Sequence, residues 1–290
     1  MQIITLTTDT GLKDFYHASL KGTLYRLSNQ IQIVDISHDI TPFDISETAF
    51  QIKSCYNDFP IGTIHIIGVD SEPQLLDPNP FVGNRAMIPS YPSIMKFQGH
   101  YFIGIDNGFF GAFLGELFPD EFYRFTSIES HPEMMSFPTK NCLIPLAIKI
   151  MNNEKLSDFC DPITTYKTAF LQQAVTELNS VQGTVIHVDT YGNLITNISK
   201  KEFDKYENVG FKILYYGNSY VIDKISKTYN EVSFGDPVAI FNDNNLLEIA
   251  INRGANRGNG GADRLFGVKK GDSVRVKFFP AGSHLDFDSI

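Results

Sequence analysis

The segment TIHIIGVD (63–70) constrains the fold more than any other stretch of the chain. It is apolar at almost every position, follows Gly62 and ends on Asp70. A continuous apolar run of this length, without polar alternation, describes a strand covered on both faces, as in parallel sheets flanked by helices. Its neighbours follow the same grammar. IITLTT (3–8) and IQIVDIS (31–37) read as strands. Helical spacing runs over 14–27 (Phe15, Ala18, Leu20, Leu24, Leu27), and again from Ser46 to about residue 57, with Ala49, Phe50 and Ile52 facing inward. Strands at 94–98 and 101–105, a helix after Asn107-Gly108 and a helix at 142–151 (Leu143, Leu146, Ala147, Ile150) continue the pattern. This predicts an α/β N-terminal domain with a largely parallel sheet over 1–165, in which 152–165 reads as a polar linker. A further short helix is predicted at 167–179. From Gly183 the grammar changes to short strands at 184–189, 211–216, 219–222, 237–241, 246–251 and 273–278, punctuated by Gly, Asn and Asp. That spacing predicts an all-β, barrel-like C-terminal domain within 166–290.

Charge and composition narrow the function. The chain has 24 Lys+Arg against 33 Asp+Glu, a net charge of −9, which argues against nucleic acid as the main partner. It leaves room for a small anionic or zwitterionic ligand held locally. Cys55, Cys142 and Cys160 are odd in number and at no metal spacing, and no His/Asp/Glu cluster suggests a metal site. A reduced, cytoplasmic setting is expected, since MQIITLTTDTG has neither a basic n-region nor a long apolar run. No membrane partner is expected either. The Gly-rich run 254–261 lacks the Lys-Ser/Thr ending of a phosphate loop. The chain has no Trp but 24 Phe and 13 Tyr; most of these rings belong in the core, and some can line an aromatic pocket.

Parallel sheets bind ligands outside the carboxyl ends of their strands, where Asp9 and Asp70 both lie. In TTDTGLKD (7–14) the acceptors of Asp9 are placed to grip a vicinal diol such as a ribose, or else to cap a turn. Asp70 has no evident helix to cap. In VIHVDTYGNLITNI (185–198), Asp189, Tyr191 and Asn193 alternate on one side of an extended chain. An amide matches the edge of adenine and a Tyr ring can stack on it; the other reading is a Gly-Asn hairpin turn.

These stretches, with VDISHDITPFDISETAF (34–50), FPIGTIHIIGVD (59–70), YFIGIDNG (101–108) and LLEIAINRG (246–254), resemble the S-adenosylmethionine hydrolase and halogenase family, which includes hydroxide adenosyltransferases, fluorinases and chlorinases. The resemblance spans most of the chain. It implies an N-terminal α/β domain and a barrel-like C-terminal domain. It also implies a homotrimer whose ligand lies between one subunit's N-domain and a neighbour's C-domain. By position, it implies that Asp9 holds the ribose diol and that Asp14, Tyr16 and Asp189 face the methionine end, with Asp189 on the α-ammonium. Tyr191 and Asn193 would contact adenine, and Asp243-Asn244 would receive the methionine carboxylate. Phe137 would join Tyr16 and Tyr191 in an aromatic cavity.

Attack at C5′ of a sulfonium expels a neutral thioether, so the site has mainly to position and desolvate the nucleophile. Water also needs a carboxylate to orient it and take its proton. The hydrolases resemble one another in an Asp–Arg–His set. Here Asp70 matches the Asp, and Arg85, in VGNR past an apparent insertion at 71–84, is the match for the Arg. In SFPTKN (136–141) Pro138 stands where the His is expected and offers no side-chain hydrogen bond. Thr139 falls where fluorinases carry a halide-contacting hydroxyl and chlorinases a Gly. The expected activity is hydrolysis of S-adenosyl-L-methionine to adenosine and L-methionine, with no cofactor or metal. The alternatives are adenosyl binding without turnover and halide adenosyl transfer, the latter opposed by the charge of Asp70. His131 is a candidate helper near the site, while His38 reads as a loop residue and His65 as core.

Overall fold

The computed structural model describes residues 1–75, 88–169, 171–206, 209–215, 220–254 and 260–280. The chain divides into two compact units, Met1–Leu171 and Gln172–Ile290.

In the first unit the strands are β1 (Gln2–Thr8), β2 (Ile31–Ser37), β3 (Ile64–Gly68), β4 (Pro92–Phe97), β5 (His100–Ile105), β6 (Glu121–Arg124) and β7 (Asp161–Pro162). They form one mixed sheet in the order β2-β1-β3-β5-β4-β6-β7. The pairs β1–β2, β1–β3 and β3–β5 are parallel, and beyond β5 the pairing is antiparallel. The parallel half is thus the part that strand–helix alternation announced. The antiparallel half begins with the tight β4–β5 hairpin, where Gln98 (φ 49°) and Gly99 (φ 80°) turn the chain. β7 lies in the stretch expected to be a linker and instead extends the sheet edge beside β6.

Helices cover both faces. Helix α1 (Tyr16–Leu27) and α4 (Ile144–Met151) share one core with the sheet, in which Leu20, Leu24, Ile144 and Ala147 meet Ile4, Leu6, Ile64, Ile66 and Ile103. On the other face α2 (Ile45–Lys53) and α3 (Phe109–Leu114) bring Ala49, Ile52, Phe109, Phe110 and Phe113 against Ile67, Val69, Met95 and Phe102. Successive β3 residues Ile66 and Ile67 therefore enter opposite cores, which is why the run is apolar at almost every position. The Phe surplus goes largely here: Phe102, Phe109, Phe110 and Phe113 are all under 3% exposed. The N-cap of α2 is Asp44, whose Oδ1 accepts the Glu47 N–H at 2.9 Å, and not Ser46.

The helix expected at 167–179 does not form. The backbone there is extended, and β8 (Val175–Thr176) follows. The reason is tertiary. The Lys167 N–H goes to Asp106 Oδ1 at 2.9 Å, and the strap lies so close to α3 that a Cβ on Gly111 would stand 2.7 Å from Lys167 O and Thr168 Cα. Long-range packing overrides the local helical spacing.

The second unit contains β9 (Ser180–Val188), β10 (Leu194–Ser199), α5 (Lys200–Phe203), β11 (Val209–Tyr215), β12 (Tyr220–Ile222), β13 (Pro237–Phe241), β14 (Leu246–Ile251), α6 (Ala262–Phe266) and β15 (Ser273–Pro280). The sheet runs β12-β11-β15-β9-β10-β14-β13, antiparallel throughout, with β8 also on β9. β12 and β13, the two ends of the path, lie in contact, so the sheet is nearly a barrel. Val181, Leu194, Ile213, Ala239, Ile249 and Val276 fill its core.

Candidate functional site

Three neighbouring parallel strands end in carboxylates: Asp9 follows β1, Asp70 follows β3 and Asp106 follows β5. Asp9 Oδ2 accepts the backbone N–H of Phe43 at 3.0 Å and of Asp70 at 3.3 Å. Both donors are non-glycine residues on left-handed backbone, with φ of 66° and 45°. Such backbone costs about 1 kcal/mol or more and persists where surrounding contacts impose it. Since both bonds use Oδ2, Oδ1 carries the remaining acceptor capacity of Asp9.

Asp70 is held from a second side. Asn107 Nδ2 donates to Asp70 O at 3.0 Å and Val69 O at 3.3 Å, while its Oδ1 accepts the Phe109 N–H at the start of α3. Burial, and then the negative charge of Asp9, push the Asp70 carboxyl above its ordinary value; Asn107 and Lys167 pull against them. Asp106 is 2% exposed, and its carboxyl is likewise raised by burial.

Thr139 donates to Ser71 Oγ at 3.0 Å, tying the 136–141 segment to the turn after Asp70. Thr139 is buried beside Gly68, whose absent side chain leaves room for it: a Cβ there would lie 2.7 Å from Thr139 Cγ2. Tyr16 meets Phe137 edge-on at 5.7 Å and stacks with Phe15 at 4.6 Å. Asp14 is exposed in the turn before α1, as are the apolar side chains of Leu12, Phe15 and Phe43. Arg85 lies outside the described residues. Pro138 is buried and precedes one π-turn (Thr139–Leu143) leading into α4. His131 is paired with Glu133 at 2.9 Å on the surface. His65 is fully buried, bonded to Thr5 and His100, and burial pushes it down to about 3. His38 bonds Thr8 Oγ1 at 2.8 Å and stands 3.1 Å from Asp35.

In the second unit Asp189 organises the β9–β10 turn. Its Oδ1 accepts the N–H groups of Tyr191 and Asn193, both at 2.9 Å, and Oδ2 accepts Asn193 Nδ2 at 3.0 Å. The hairpin-turn reading is what these bonds describe, and Asn193 is 8% exposed whereas Tyr191 is 68% exposed. Asp243 and Asn244 sit exposed at the β13–β14 turn, which Asn242 Oδ1 shapes by accepting the N–H groups of Asn244 and Leu246. Beneath them Glu248, 4% exposed, accepts from Tyr229 Oη at 2.6 Å and Asn242 Nδ2 at 3.2 Å. Burial raises the carboxyl of Glu248, and Asp189 and Asp243 add to the effect, so the 189 and 243 turns share one electrostatic neighbourhood.

Sequence reasoning missed Asp106, Asn107, Lys167, Tyr229, Asn242 and Glu248. One signal was available: IDNG (105–108) repeats the strand-end carboxylate already read in TTDTG and GVD. Among the described residues no group of three or more His, Cys, Asp or Glu is arranged to hold a metal ion, and no helix is long and apolar enough to cross a membrane.

Comparison with known proteins agrees with this architecture. The chain is 27% identical over 261 residues to an (R)-S-adenosyl-L-methionine hydrolase of Methanocaldococcus jannaschii, covering 86% of this chain and 88% of that one. It is 24% identical over 302 residues to a fluorinase of Actinopolyspora mzabensis, covering 94% and 96%. A crystal structure of an uncharacterized conserved protein from Thermotoga maritima superimposes with a TM-score of 0.77 at 24% identity, covering 95% of this chain and all of that one; it shares the fold. Residues 4–160 match the SAM hydroxide adenosyltransferase N-terminal domain and residues 183–275 the C-terminal domain. With both domains matched in order, the chain belongs to the SAM hydroxide adenosyltransferase family.

Proposed function

We propose that the protein hydrolyses S-adenosyl-L-methionine by attack of water at C5′, releasing adenosine and L-methionine. The observation that carries the reading is the setting of Asp70. It is a half-buried carboxylate at the end of β3, held through its N–H by Asp9 and through its C=O by Asn107, with a raised proton affinity. A carboxylate with a raised proton affinity is a better base than a solvated one, and its turn is fixed through the backbone. Asp9 Oδ1 takes the ribose diol. Tyr16 and Phe137 give the apolar wall in which the sulfonium loses its charge to a neutral thioether. Thr139 serves the Asp70 turn, since its hydroxyl donates to Ser71. In the second unit Tyr191 and Asn193 serve adenine, Asp189 the α-ammonium and the Asp243-Asn244 turn the carboxylate. Arg85 joins Asp70 in orienting water, and Asp14 faces the methionine end.

The reading calls for no cofactor and no metal, because the leaving thioether needs neither an acid nor a Lewis acid. It extends to a cytoplasmic homotrimer, with the ligand held between one subunit's first unit and a neighbour's second. The exposed apolar side chains of Leu12, Phe15 and Phe43 around Asp9 support such a covered site. Incubating the purified protein with S-adenosyl-L-methionine and following adenosine by chromatography tests the activity. Adenosine above the buffer blank, lost in Asp70→Asn, is expected. Calorimetric binding without any adenosine would replace hydrolysis by adenosyl binding alone, and a halide-dependent 5′-halo nucleoside would replace water as the nucleophile.

A further inference from the structure

The Asp9 loop is fastened to the segment after β2 by more than the Phe43 bond. His38 O accepts the Gly11 N–H at 2.7 Å, and Thr8 O accepts the Ile40 N–H at 3.4 Å. A chain of side-chain bonds joins the same two segments. His38 Nδ1 is 2.8 Å from Thr8 Oγ1, and Thr8 Oγ1 is 3.0 Å from Thr10 Oγ1. Thr8 and Thr10 are the residues on either side of Asp9. His38 and Thr8 are both buried, so water does not compete for the bond between them.

The other side of the ring fixes the direction of the chain. His38 Nε2 stands 3.1 Å from Asp35 Oδ1, an ion-pair distance rather than an aligned hydrogen bond. A carboxylate has only acceptors, so the proton of the neutral ring belongs on Nε2 and Nδ1 is bare. The Thr8 hydroxyl then donates to Nδ1, and the Thr10 hydroxyl donates to Thr8. A second proton on the ring would make Nδ1 a donor. Thr8 would then accept from it and turn its own hydrogen toward Thr10, reversing both bonds. The charged and titratable groups that face the ring are Asp35 on β2 and Lys21 and His17 on α1. Burial is the largest influence and holds His38 below its ordinary value; Lys21 and His17, whose ring is 5.5 Å away, act in the same direction. Asp35 opposes them, although Lys21 is bonded to its other oxygen. The neutral ring is therefore the form present at neutral pH.

We propose that His38 is a positioning residue of the ligand site: a neutral ring between Asp35 and Thr8, it sets the hydroxyls on both sides of Asp9 and holds that loop ready for a ribose diol. The role rests on the reading of Asp9 as the ribose acceptor, and its probe is adenosine. Full-length wild type, His38→Ala, His38→Asn and Thr8→Val are compared by calorimetry between about pH 5 and 8, the range in which histidine titrates. Their kcat and KM for adenosine release from S-adenosyl-L-methionine are measured alongside. At the upper end of that range, His38→Ala and Thr8→Val should bind adenosine about three- to tenfold more weakly. KM should rise in both while kcat stays within about twofold of the wild type. Wild-type affinity should fall as the pH drops below about 6.5. His38→Asn offers an amide oxygen in place of Nδ1 and gains no proton, so it should keep the high-pH affinity within about twofold and lose most of that slope. Ring 15N NMR should show hydrogen on Nε2 and none on Nδ1 at the upper end of the range.

A wild type that neither binds nor releases adenosine removes the reading of Asp9, and the role of His38 falls with it. A wild type that binds adenosine, beside a folded His38→Ala of unchanged affinity, overturns the role of His38 alone. So does a neutral ring protonated on Nδ1, or an equal pH slope in wild type and His38→Asn. If His38→Ala does not fold by circular dichroism, unchanged affinity in Thr8→Val overturns the role in its place.

Discussion

Asp9 Oδ2 receives the backbone N–H of Asp70 at 3.3 Å, so the two carboxylates at the ends of β1 and β3 are joined through a main-chain bond. The same oxygen receives Phe43 at 3.0 Å. One acidic side chain therefore ties together two left-handed residues, Phe43 and Asp70, through their backbone.

Asp9→Ala should act twice. Losing an acceptor for two amides is expected to cost about 1–3 kcal/mol of stability, visible as a lower denaturation midpoint. Affinity for adenosine should fall at least about tenfold, since a ribose diol loses a charged acceptor. Asp9→Asn keeps one oxygen for the amides and should recover most of the stability but little of the affinity. Calorimetry on both variants separates the two effects, and equal affinity in all three proteins would remove Asp9 from the ligand.

The raised proton affinity of Asp70 has a stability consequence of definite sign. Its folded value lies above its unfolded one. Between the two, the native state holds a proton that the unfolded chain has released, so stability falls as pH rises through that window and stays lower above it. Asp70→Asn should therefore be more stable than the wild type at pH 7, with the difference closing below about pH 4. The same variant should lose at least about 100-fold in adenosine release. A variant less stable at pH 7 would show that the carboxylate is favoured, not strained, by its setting.

The strand-end carboxylates were legible because a two-sided apolar run that stops at an acid is a local pattern. TIHIIGVD and TTDTG carry it without help from the rest of the chain. Lys167 was not legible. Its neighbourhood has helical spacing, and what unwinds it is Asp106 together with Gly111 of α3, more than fifty residues away. Glu248 was hidden differently. In LLEIAI it looks like the solvent-facing position of an alternating strand, and it is buried only because Tyr229 and Asn242 reach it from other elements. The roles of Asp189 and Asn193 in the turn were read as one of two possibilities, and the acceptors of Asp189 are engaged in just that way.

The Asp189–Asn193 turn rests on a close backbone approach. Gly192 has φ of 77°, and a Cβ there would lie 2.1 Å from Asp263 Oδ1 and 2.8 Å from the Cα of Gly261. Gly192 O also accepts the Asp263 N–H at 3.0 Å, fixing the turn to the start of α6. Gly192→Ala combines strained backbone with a clash against main chain, and should cost about 2–4 kcal/mol in the second unit. Gly235→Ala is the control, with a similar positive φ of 93° and no atom within 4 Å of its added Cβ; it should cost about 1 kcal/mol. Urea midpoints measure both, and equal losses would mean that the approach to α6 adds nothing.

Tyr229 and Asn242 together hold the buried carboxylate of Glu248 under the Asp243-Asn244 turn. Burial leads in raising both groups, and the Tyr229 phenol is pushed well above its ordinary value, so it stays a donor to Glu248. Tyr229→Phe removes a donor from a carboxylate that is 4% exposed, which should cost about 1–3 kcal/mol. It should also raise Glu248 further, so that its stability loss grows as pH rises above the ordinary carboxylate range and the native carboxylate must ionise without its partner. Glu248→Gln in the Tyr229→Phe background removes that charge and should abolish the growth with pH while leaving part of the loss. Asn242→Ala differs in kind, because its Oδ1 also shapes the turn through Asn244 and Leu246. It should weaken L-methionine binding several-fold where Tyr229→Phe leaves it nearly unchanged, and similar binding losses in both variants would detach the Asp243-Asn244 turn from the ligand.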